Sequence, residues 1–212
     1  MKVVNPRYEI LSYPTLDDLK LLECIGRTCY KSEKHITNLS TERFIKNLIE
    51  KKHEAIIEHA YITVKFICDR GVSHEIVRHR LASFAQESTR YCNYSSDKFD
   101  NNITVIKPVF YSDTESVQYK TWLDSCLQSE QAYFKLIKNG STPEEARSVL
   151  PNSLKTELVM TANLREWRHF FKLRAADITG KAHPQIKQLT IPLLKELQNI
   201  LPVIFGDIVV DG

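Results

Sequence analysis

Residues 61–68 read YITVKFIC, a stretch in which apolar and polar side chains alternate. In an extended chain the even-numbered apolar residues from Ile62 to Cys68 lie on one face, and Thr63 and Lys65 lie on the other. A two-residue alternation of this kind is typical of a strand that is buried on one face only. We therefore predict a half-buried β-strand here.

Upstream of this strand, the sequence predicts two helices. Apolar side chains recur at helical spacing through residues 16–30. Ser40 is a suitable N-cap for a second helix over residues 41–52, because its hydroxyl can accept a hydrogen bond from an unpaired backbone N–H. Downstream of the strand we expect a turn at residues 69–71, followed by a short helix that Ser73 caps.

The short helix is expected to end near Leu81. Residues 82–102 are polar and follow no regular period, which is typical of a long functional loop. The elements expected beyond this loop are a short strand within residues 103–110, helices over residues 115–139, from Pro143 to Pro151, over residues 164–175 and from Pro184 onward, and a strand over residues 154–162. Thr142 and Glu145 are expected to form a capping box at the start of the helix that begins at Pro143.

This order of elements predicts one α+β domain over residues 1–212, in which a small antiparallel sheet packs with several helices. The chain is 42% hydrophobic and 26% charged, and its formal net charge is only +3. So small a net charge gives no strong field for nucleic acid or membrane. No apolar run approaches the ~20 residues that a membrane span needs. Five cysteines without a Cys-x-x-Cys pair favour a reduced, cytoplasmic location.

The glycines exclude two common ways of binding nucleotides. Only six are present, and none is spaced as Gly-x-Gly-x-x-Gly or as a P-loop. A nucleotide phosphate would therefore be held by side chains, for which the bidentate guanidinium of arginine is well suited. Four arginines fall within residues 70–90, namely Arg70, Arg78, Arg80 and Arg90.

The triplet RHR at residues 78–80 is followed by the groups that a nucleotide ligand needs. Residues 86–91 read QESTRY, so that acceptors, a hydroxyl, a cation and an aromatic ring lie within six residues. Tyr91 is suited to stack on a flat ring, and Ser88 and Arg90 are suited to hold a phosphate. By itself, a basic triplet at the end of a helix is explained by the helix dipole, which favours cations there.

The pattern Arg-His-Arg, seven residues and then Ser resembles the signature of the flavin-dependent thymidylate synthases, and residues 78–88 match it in full. The likeness extends over roughly residues 20–200. It implies an α+β homotetramer whose FAD and dUMP sites are shared between subunits. The implied reaction is reductive methylation of dUMP to dTMP. In it, 5,10-methylenetetrahydrofolate is the carbon donor, reduced FAD supplies the hydride and NADPH reduces the flavin.

The same resemblance assigns roles by position, without a metal. The residues expected to bind dUMP are Glu75, Arg78, Gln86, Glu87, Ser88, Thr89, Arg90, Arg147 and Arg174. The residues expected to contact FAD are Ala55, Arg78, His79, Arg80, Gln86, Asn163, Arg165 and His169. His53 and Tyr91 are expected on the folate and flavin side. Within these sets, Ser88, Arg90 and Arg147 should surround the phosphate. Arg174 is the expected catalytic residue, at the uracil edge.

The sequence departs from the family pattern at two of these positions. Position 75 is Glu where many members are expected to have Gln, and a carboxylate accepts hydrogen bonds but cannot donate them. Ala55 replaces what is often a hydroxyl residue, so a side-chain hydrogen bond to FAD is lost there.

Other interpretations of these residues stay open. Residues 53–59, HEAIIEH, look metal-like, but the zincin pattern requires a second His where Ile57 stands. The arginine cluster, with Tyr91 and Tyr94, is also compatible with a module that binds single-stranded nucleic acid. A third interpretation is a flavoprotein of the same fold that has lost synthase activity. Arg174 has an alternative role too, as a surface ion pair with Asp177.

Overall fold

The fold is described by a computed structural model that covers residues 1–210. Its strands are β1 (Lys2–Val4), β2 (Arg7–Ser12), β3 (Tyr61–Asp69), β4 (Ala82–Gln86), β5 (Thr104–Ile106) and β6 (Lys155–Asn163). Its α-helices are α1 (Leu16–Thr28), α2 (Ser40–Glu50), α3 (Arg70–Ile76), α4 (Val117–Lys138), α5 (Pro143–Ala146), α6 (Leu164–Arg174), α7 (Pro184–Ile200) and α8 (Pro202–Phe205). Short 3-10 helices lie at Glu33–His35, Glu54–His59, Asp97–Phe99 and Arg147–Val149.

The larger sheet has the strand order β2-β3-β6-β4. The hydroxyls of Thr63 and Thr161 are 2.9 Å apart, and the backbone N–H of Leu164 donates to the carbonyl of Ala60 at 3.0 Å. Residue numbers therefore fall along one strand as they rise along the other, so β3 and β6 run antiparallel. The predicted small antiparallel sheet with several helices is confirmed. A separate two-stranded parallel pair, β1 with β5, was not predicted.

The predicted faces of β3 are confirmed by burial. Ile62, Val64 and Phe66 are fully buried, whereas Thr63 and Lys65 are half-buried. In β6 the buried and half-buried side chains alternate over all nine residues. These two strands therefore present an apolar face to the core along their length.

The helix after β3 differs from the prediction in its register. Asp69, not Ser73, is the N-cap, because its Oδ1 accepts a hydrogen bond from the backbone N–H of Val72 at 2.8 Å. Ser73 lies inside α3, where its hydroxyl donates to the carbonyl of Arg70. The helix ends at Ile76, so residues 78–80 follow it and do not form its C-terminus. Aspartate and serine are about equally good N-caps, which is why the sequence pattern selected the wrong one.

Two further elements were assigned incorrectly. Residues 82–86, expected to begin the long loop, form strand β4 at the edge of the sheet. Its half-buried positions include Ala82 and Gln86, which carry little of the apolar signal of a strand. Ser40 is the first residue of α2, which has no side-chain cap. Its hydroxyl donates to Glu23 at 2.9 Å instead.

The chain forms two compact units. The first comprises Met1–Arg7, Phe66–Arg78 and Ala85–Val159, and the second comprises Tyr8–Lys65, His79–Phe84 and the described residues from Met160 onward. Whether the chain acts as the single predicted domain stays a prediction. Within residues 1–210, none of the helices has the length and apolarity to span a bilayer.

Two buried charges tie helices together within the second unit. Arg168 is 1% exposed, and its guanidinium donates to Glu54, to both carboxylate oxygens of Asp207 and to the carbonyl of Ile204.

Glu23, the second of these charges, is fully buried and accepts hydrogen bonds from Arg27, Ser40 and Thr41. Buried charges of this kind are stable only when they are paired and hydrogen-bonded.

Candidate active site

His79 is the buried member of the Arg-His-Arg triplet. It is 5% exposed, whereas Arg78 and Arg80 on either side are exposed. Its ring packs edge-on against Phe170, with centroids 4.9 Å apart, and lies 5.8 Å from the ring of His169. The middle residue of the signature is therefore held inside the second unit by residues of α6.

Both ring nitrogens of His79 have hydrogen-bond partners. Nδ1 lies 3.1 Å from Oε1 of Glu166, and Nε2 accepts from Nε of Arg174 at 3.2 Å. Burial, with the nearby charges of Arg174 and His169, lowers the pKa of His79 to about 4. Burial also raises the pKa of Glu166, against a smaller opposite effect of His169. The imidazole is therefore neutral at physiological pH.

The orientation of helix α6 is fixed by its N-cap and by its buried apolar face. Asn163 is its N-cap, with Oδ1 accepting from the backbone N–H of Glu166 at 2.8 Å. On the opposite face Trp167 is fully buried, and its indole N–H donates to the carbonyl of Ile62 at 3.0 Å. Residues three apart share a helix face. Asn163, Glu166, His169 and Lys172 follow this spacing.

That polar face lines a cavity of about 670 Å³ in the second unit. Its lining residues are Glu54, Glu58, Tyr61, Leu81, Asn163, Arg165, Glu166, His169 and Lys172. Arg165 forms an ion pair with Glu58 at 2.5 Å. The volume lies within the ~300–1,000 Å³ of small-molecule sites. The structure thus brings together Asn163, Arg165 and His169, three of the residues predicted to contact FAD.

A second, more open pocket of about 400 Å³ lies in the first unit. It is lined by Arg70, His74, Thr89, Arg147, Ser148, Leu150, Pro151, Asn152 and Leu154. Nη1 of Arg147 donates to the Thr89 hydroxyl at 3.4 Å. Arg147 directly follows α5, whose start is fixed by the predicted capping box of Thr142 and Glu145. Two guanidiniums, an imidazole and hydroxyls form a suitable set of ligands for a phosphate.

The remaining residues predicted to bind dUMP from residues 86–90 make contacts within the chain. The Gln86 amide donates to Ser73 at 2.9 Å and to Thr156 at 3.2 Å. Glu87 accepts from Lys155 at 2.9 Å and from the Tyr94 hydroxyl at 3.1 Å.

Two more residues of this segment also have partners. Arg90 forms an ion pair with Glu144 at 2.8 Å, and the Ser88 hydroxyl accepts from the Arg90 backbone N–H at 3.3 Å. Ligand contacts by these side chains would add to the bonds described here or replace them.

Several predicted residues do not line either pocket. His53 and Ala55 are exposed at the 3-10 helix Glu54–His59, and Tyr91 is 78% exposed with the Arg90 guanidinium 5.5 Å from its ring centroid. Glu75 is half-buried on α3. Their assigned roles stay predictions.

The sequence pattern missed several residues that line the two pockets. Glu166 and Lys172 share the three-residue spacing of Asn163 and His169, which was a usable signal. Arg70 and His74, four residues apart on α3, carried the same kind of signal for the second pocket. Glu58, Tyr61 and Leu81 are distant in sequence from α6 and had no such signal.

His79, Glu166 and His169 also form a cluster of the residue types that bind metals. One potential ligand atom from each lies within 4.8 Å of the others. However, the two ring nitrogens of His79 already bond Glu166 and Arg174, and the Arg174 charge disfavours a second cation there. The predicted absence of a metal stays a prediction.

Comparisons with known proteins agree with one another. A family model described as "Thymidylate synthase complementing protein" matches residues 9–203. A flavin-dependent thymidylate synthase of Geobacter sulfurreducens is 32% identical over 190 residues, which are 86% of this chain and 78% of that protein. One of Pyrococcus furiosus is 31% identical over 208 residues, 96% of this chain and 83% of that protein.

Among solved structures, a UMP/dUMP methylase of Streptomyces cacaoi bound with 5-Br dUMP superposes with a TM-score of 0.76. It covers 97% of this chain and 96% of its own. Its sequence identity is 22%, so this likeness concerns the fold.

Proposed function

The chain belongs to the family of flavin-dependent thymidylate synthases, and from that premise we propose that it methylates dUMP to dTMP. In the complete proposal, 5,10-methylenetetrahydrofolate donates the carbon and NADPH re-reduces the flavin. The observation that carries the proposal is the position of His79, the buried centre of the signature, against the helix whose polar face lines the second-unit cavity.

The residues of this cavity fit a flavin dinucleotide. Arg165 and Lys172 would supply positive charge for a diphosphate that displaces their present ion-pair partners, Glu58 and Glu54. The Asn163 amide retains its N–H donors because its oxygen caps α6. Tyr61 and Leu81 are more than half exposed and supply apolar surface for a ring. Bound FAD would supply the hydride, which no amino-acid side chain can supply.

Arg174 is the proposed catalytic residue. Its guanidinium is permanently charged, and it is half-buried at the end of α6 with Nε bonded to His79. A fixed guanidinium stabilises negative charge that develops on the uracil ring as carbon is transferred. Asp177, which the sequence offered as another partner for Arg174, forms an ion pair with Lys187.

For the dUMP phosphate we propose Ser88, Arg90 and Arg147. The pocket in the first unit supports the role of Arg147, because its two guanidiniums, those of Arg70 and Arg147, suit a dianion. Ser88 and Arg90 do not line this pocket, and their roles rest on the resemblance alone. Ser88 is proposed to bind and not to act as a nucleophile.

The nucleic-acid interpretation is weakened by the placement of Tyr94. This residue is 4% exposed and donates its hydroxyl to Glu87, so it offers no face on which a base can stack. Arg90, another member of that cluster, is paired with Glu144.

We also propose a cytoplasmic homotetramer. Large apolar side chains of the second unit are exposed, including Leu16 at 65%, Tyr30 at 69% and Leu39 at 90%. In this proposal these side chains are buried against another subunit. The five cysteines are all free, as expected in a reducing compartment.

The test is spectroscopic first and chemical second. We expect the purified protein to carry flavin absorbance, or to gain it with FAD and then melt at a higher temperature. With dUMP, methylenetetrahydrofolate and NADPH it should form dTMP. Absence of both a flavin spectrum and a thermal shift in excess FAD would refute the proposal. Flavin binding without dTMP formation would instead identify a flavoprotein that lacks synthase activity.

A further inference from the structure

The hydrogen bonds of His79 specify where its single proton lies. A guanidinium offers only donors, so the bond from Arg174 Nε requires that Nε2 of His79 accept. In a neutral imidazole the proton then resides on Nδ1, which donates to Oε1 of Glu166 at 3.1 Å. The other tautomer would place an N–H against the Arg174 donor.

Packing keeps this arrangement in place. Glu166 is 6% exposed and His79 is 5% exposed, so water has little access to replace either partner. The Phe170 ring contacts the imidazole from one side at 4.9 Å. Glu166 and Arg174 belong to the same helix, and their backbones are separated by ~12 Å at the α-helical rise of ~1.5 Å per residue. The imidazole of His79 therefore bridges two side chains of α6.

We propose that Glu166 and His79 are positioning residues for Arg174. The Glu166 carboxylate holds the proton on Nδ1, and the unprotonated Nε2 then binds the Arg174 Nε–H and fixes the orientation of the guanidinium. This inference rests on the proposed function, because it is in that reaction that the orientation of the Arg174 charge towards the substrate matters.

The proposal predicts a contrast between two variants of Glu166. In Glu166→Leu the acceptor for Nδ1–H is lost, and a buried unsatisfied N–H is costly, so the proton shifts towards Nε2 and the bond from Arg174 Nε to His79 is lost. In Glu166→Gln the negative charge is lost, but an amide oxygen remains to accept from Nδ1–H. The glutamine variant is therefore the matched control of nearly equal size and shape.

The first measurement is direct and independent of turnover. Nitrogen-15 NMR of the histidine-labelled, FAD-loaded protein distinguishes a protonated from an unprotonated ring nitrogen, with His79→Gln used to assign the signals. We expect wild-type protein and Glu166→Gln to show Nδ1–H and a bare Nε2. A wild-type protein with the proton on Nε2, or on both nitrogens, overturns the proposal, whether or not the leucine variant folds.

The second measurement is single-turnover dTMP formation with dUMP saturating and flavin content matched. We expect Glu166→Leu to lose roughly tenfold to a hundredfold in rate, with Glu166→Gln within about threefold of wild type. The inference is overturned if Glu166→Leu reacts at the wild-type rate or loses its flavin. It is also overturned if Glu166→Gln is as slow as Glu166→Leu. A third outcome is that NMR shows the Nδ1–H form but neither the wild-type protein nor any variant forms dTMP. The proposed function then fails, whereas the positioning of Arg174 by His79 stands.

Discussion

Replacing Arg174 by lysine separates the shape of the cation from its charge. In the structure the Nε of Arg174 is bonded to His79, and the guanidinium plane continues beyond it to two further nitrogens. Lysine has one nitrogen at the end of a flexible chain, so it cannot both bond His79 and present a planar pair of donors to uracil. The variant keeps the positive charge and loses the fixed geometry.

The two consequences of this change differ greatly in size. Removing one preorganised electrostatic contact costs ~3 kcal/mol in the transition state, or on the order of a hundredfold in rate. For folding, loss of the hydrogen bond to His79 at a half-buried position costs ~1 kcal/mol. In a chain of this length that corresponds to a fall in Tm of about 2–4 °C. We therefore expect a folded protein that retains FAD and has lost most of its rate.

The assay follows dTMP formation and flavin oxidation in a single turnover, with each variant saturated in dUMP. Ser88→Ala is the comparison: a hydrogen bond from a hydroxyl to a charged phosphate is worth ~1.5–3 kcal/mol of binding. A loss that affects binding alone raises KM and leaves the rate at saturating dUMP nearly unchanged. If Ser88→Ala is inactive while Arg174→Lys turns over at the wild-type rate, the assignment is inverted. A nucleophilic serine would then have to be reconsidered.

Three further predictions concern the alternative function and the buried charges. We expect no binding of single-stranded oligonucleotides at physiological salt. A log–log salt slope of roughly −3, as for four phosphate contacts, without dUMP binding would favour the nucleic-acid interpretation. Burial opposes ionisation of Glu23, but its hydrogen bonds outweigh burial and lower its pKa below the usual 4.5. Ionised Glu23 therefore stabilises the fold above that pH, and this contribution is lost as pH falls through the lower folded-state pKa. The free energy of unfolding in urea should depend less on pH in this range for Glu23→Gln than for the wild-type protein. An unchanged pH dependence would contradict the lowered pKa of Glu23. Arg168→Met should lower the free energy of unfolding by about 3 kcal/mol, at the low end for a broken buried pair because Asp207 is half exposed. A loss below ~1 kcal/mol in urea unfolding would show that the Arg168 bonds contribute little.

Periodicity predicted the elements that have a strong apolar signal. The strands β3 and β6 and the helix α6 begin and end within a residue or so of the expected positions. The capping box at Thr142 was also confirmed. Strand β1 was missed because its three residues carry too little pattern, whereas a strand was expected around the equally short β5. Strand β4 was missed because small and polar residues fill much of it, and its position at the sheet edge tolerates them.

Part of the candidate site was likewise predictable from the sequence, and part was not. The signature directed attention to His79, and helical spacing related Asn163 to His169. The partnership of His79 with Glu166 spans 87 positions, and a contact of that range depends on tertiary packing that no local pattern encodes. The internal partners of Glu87 and Arg90 were hidden for the same reason.

The discontinuity of the two compact units bears on how the protein is made. The chain passes from one unit to the other after Arg7, Lys65, Arg78, Phe84 and Val159, so neither unit is complete until most of the chain has left the ribosome. Thr63 in β3 meets Thr161 only 98 residues later, an interval of roughly 5–20 s at ordinary rates of translation. During that interval β3 has only one of its two neighbours in the sheet, β2, and lacks β6. The gene therefore offers no single position at which one cut would separate the two units.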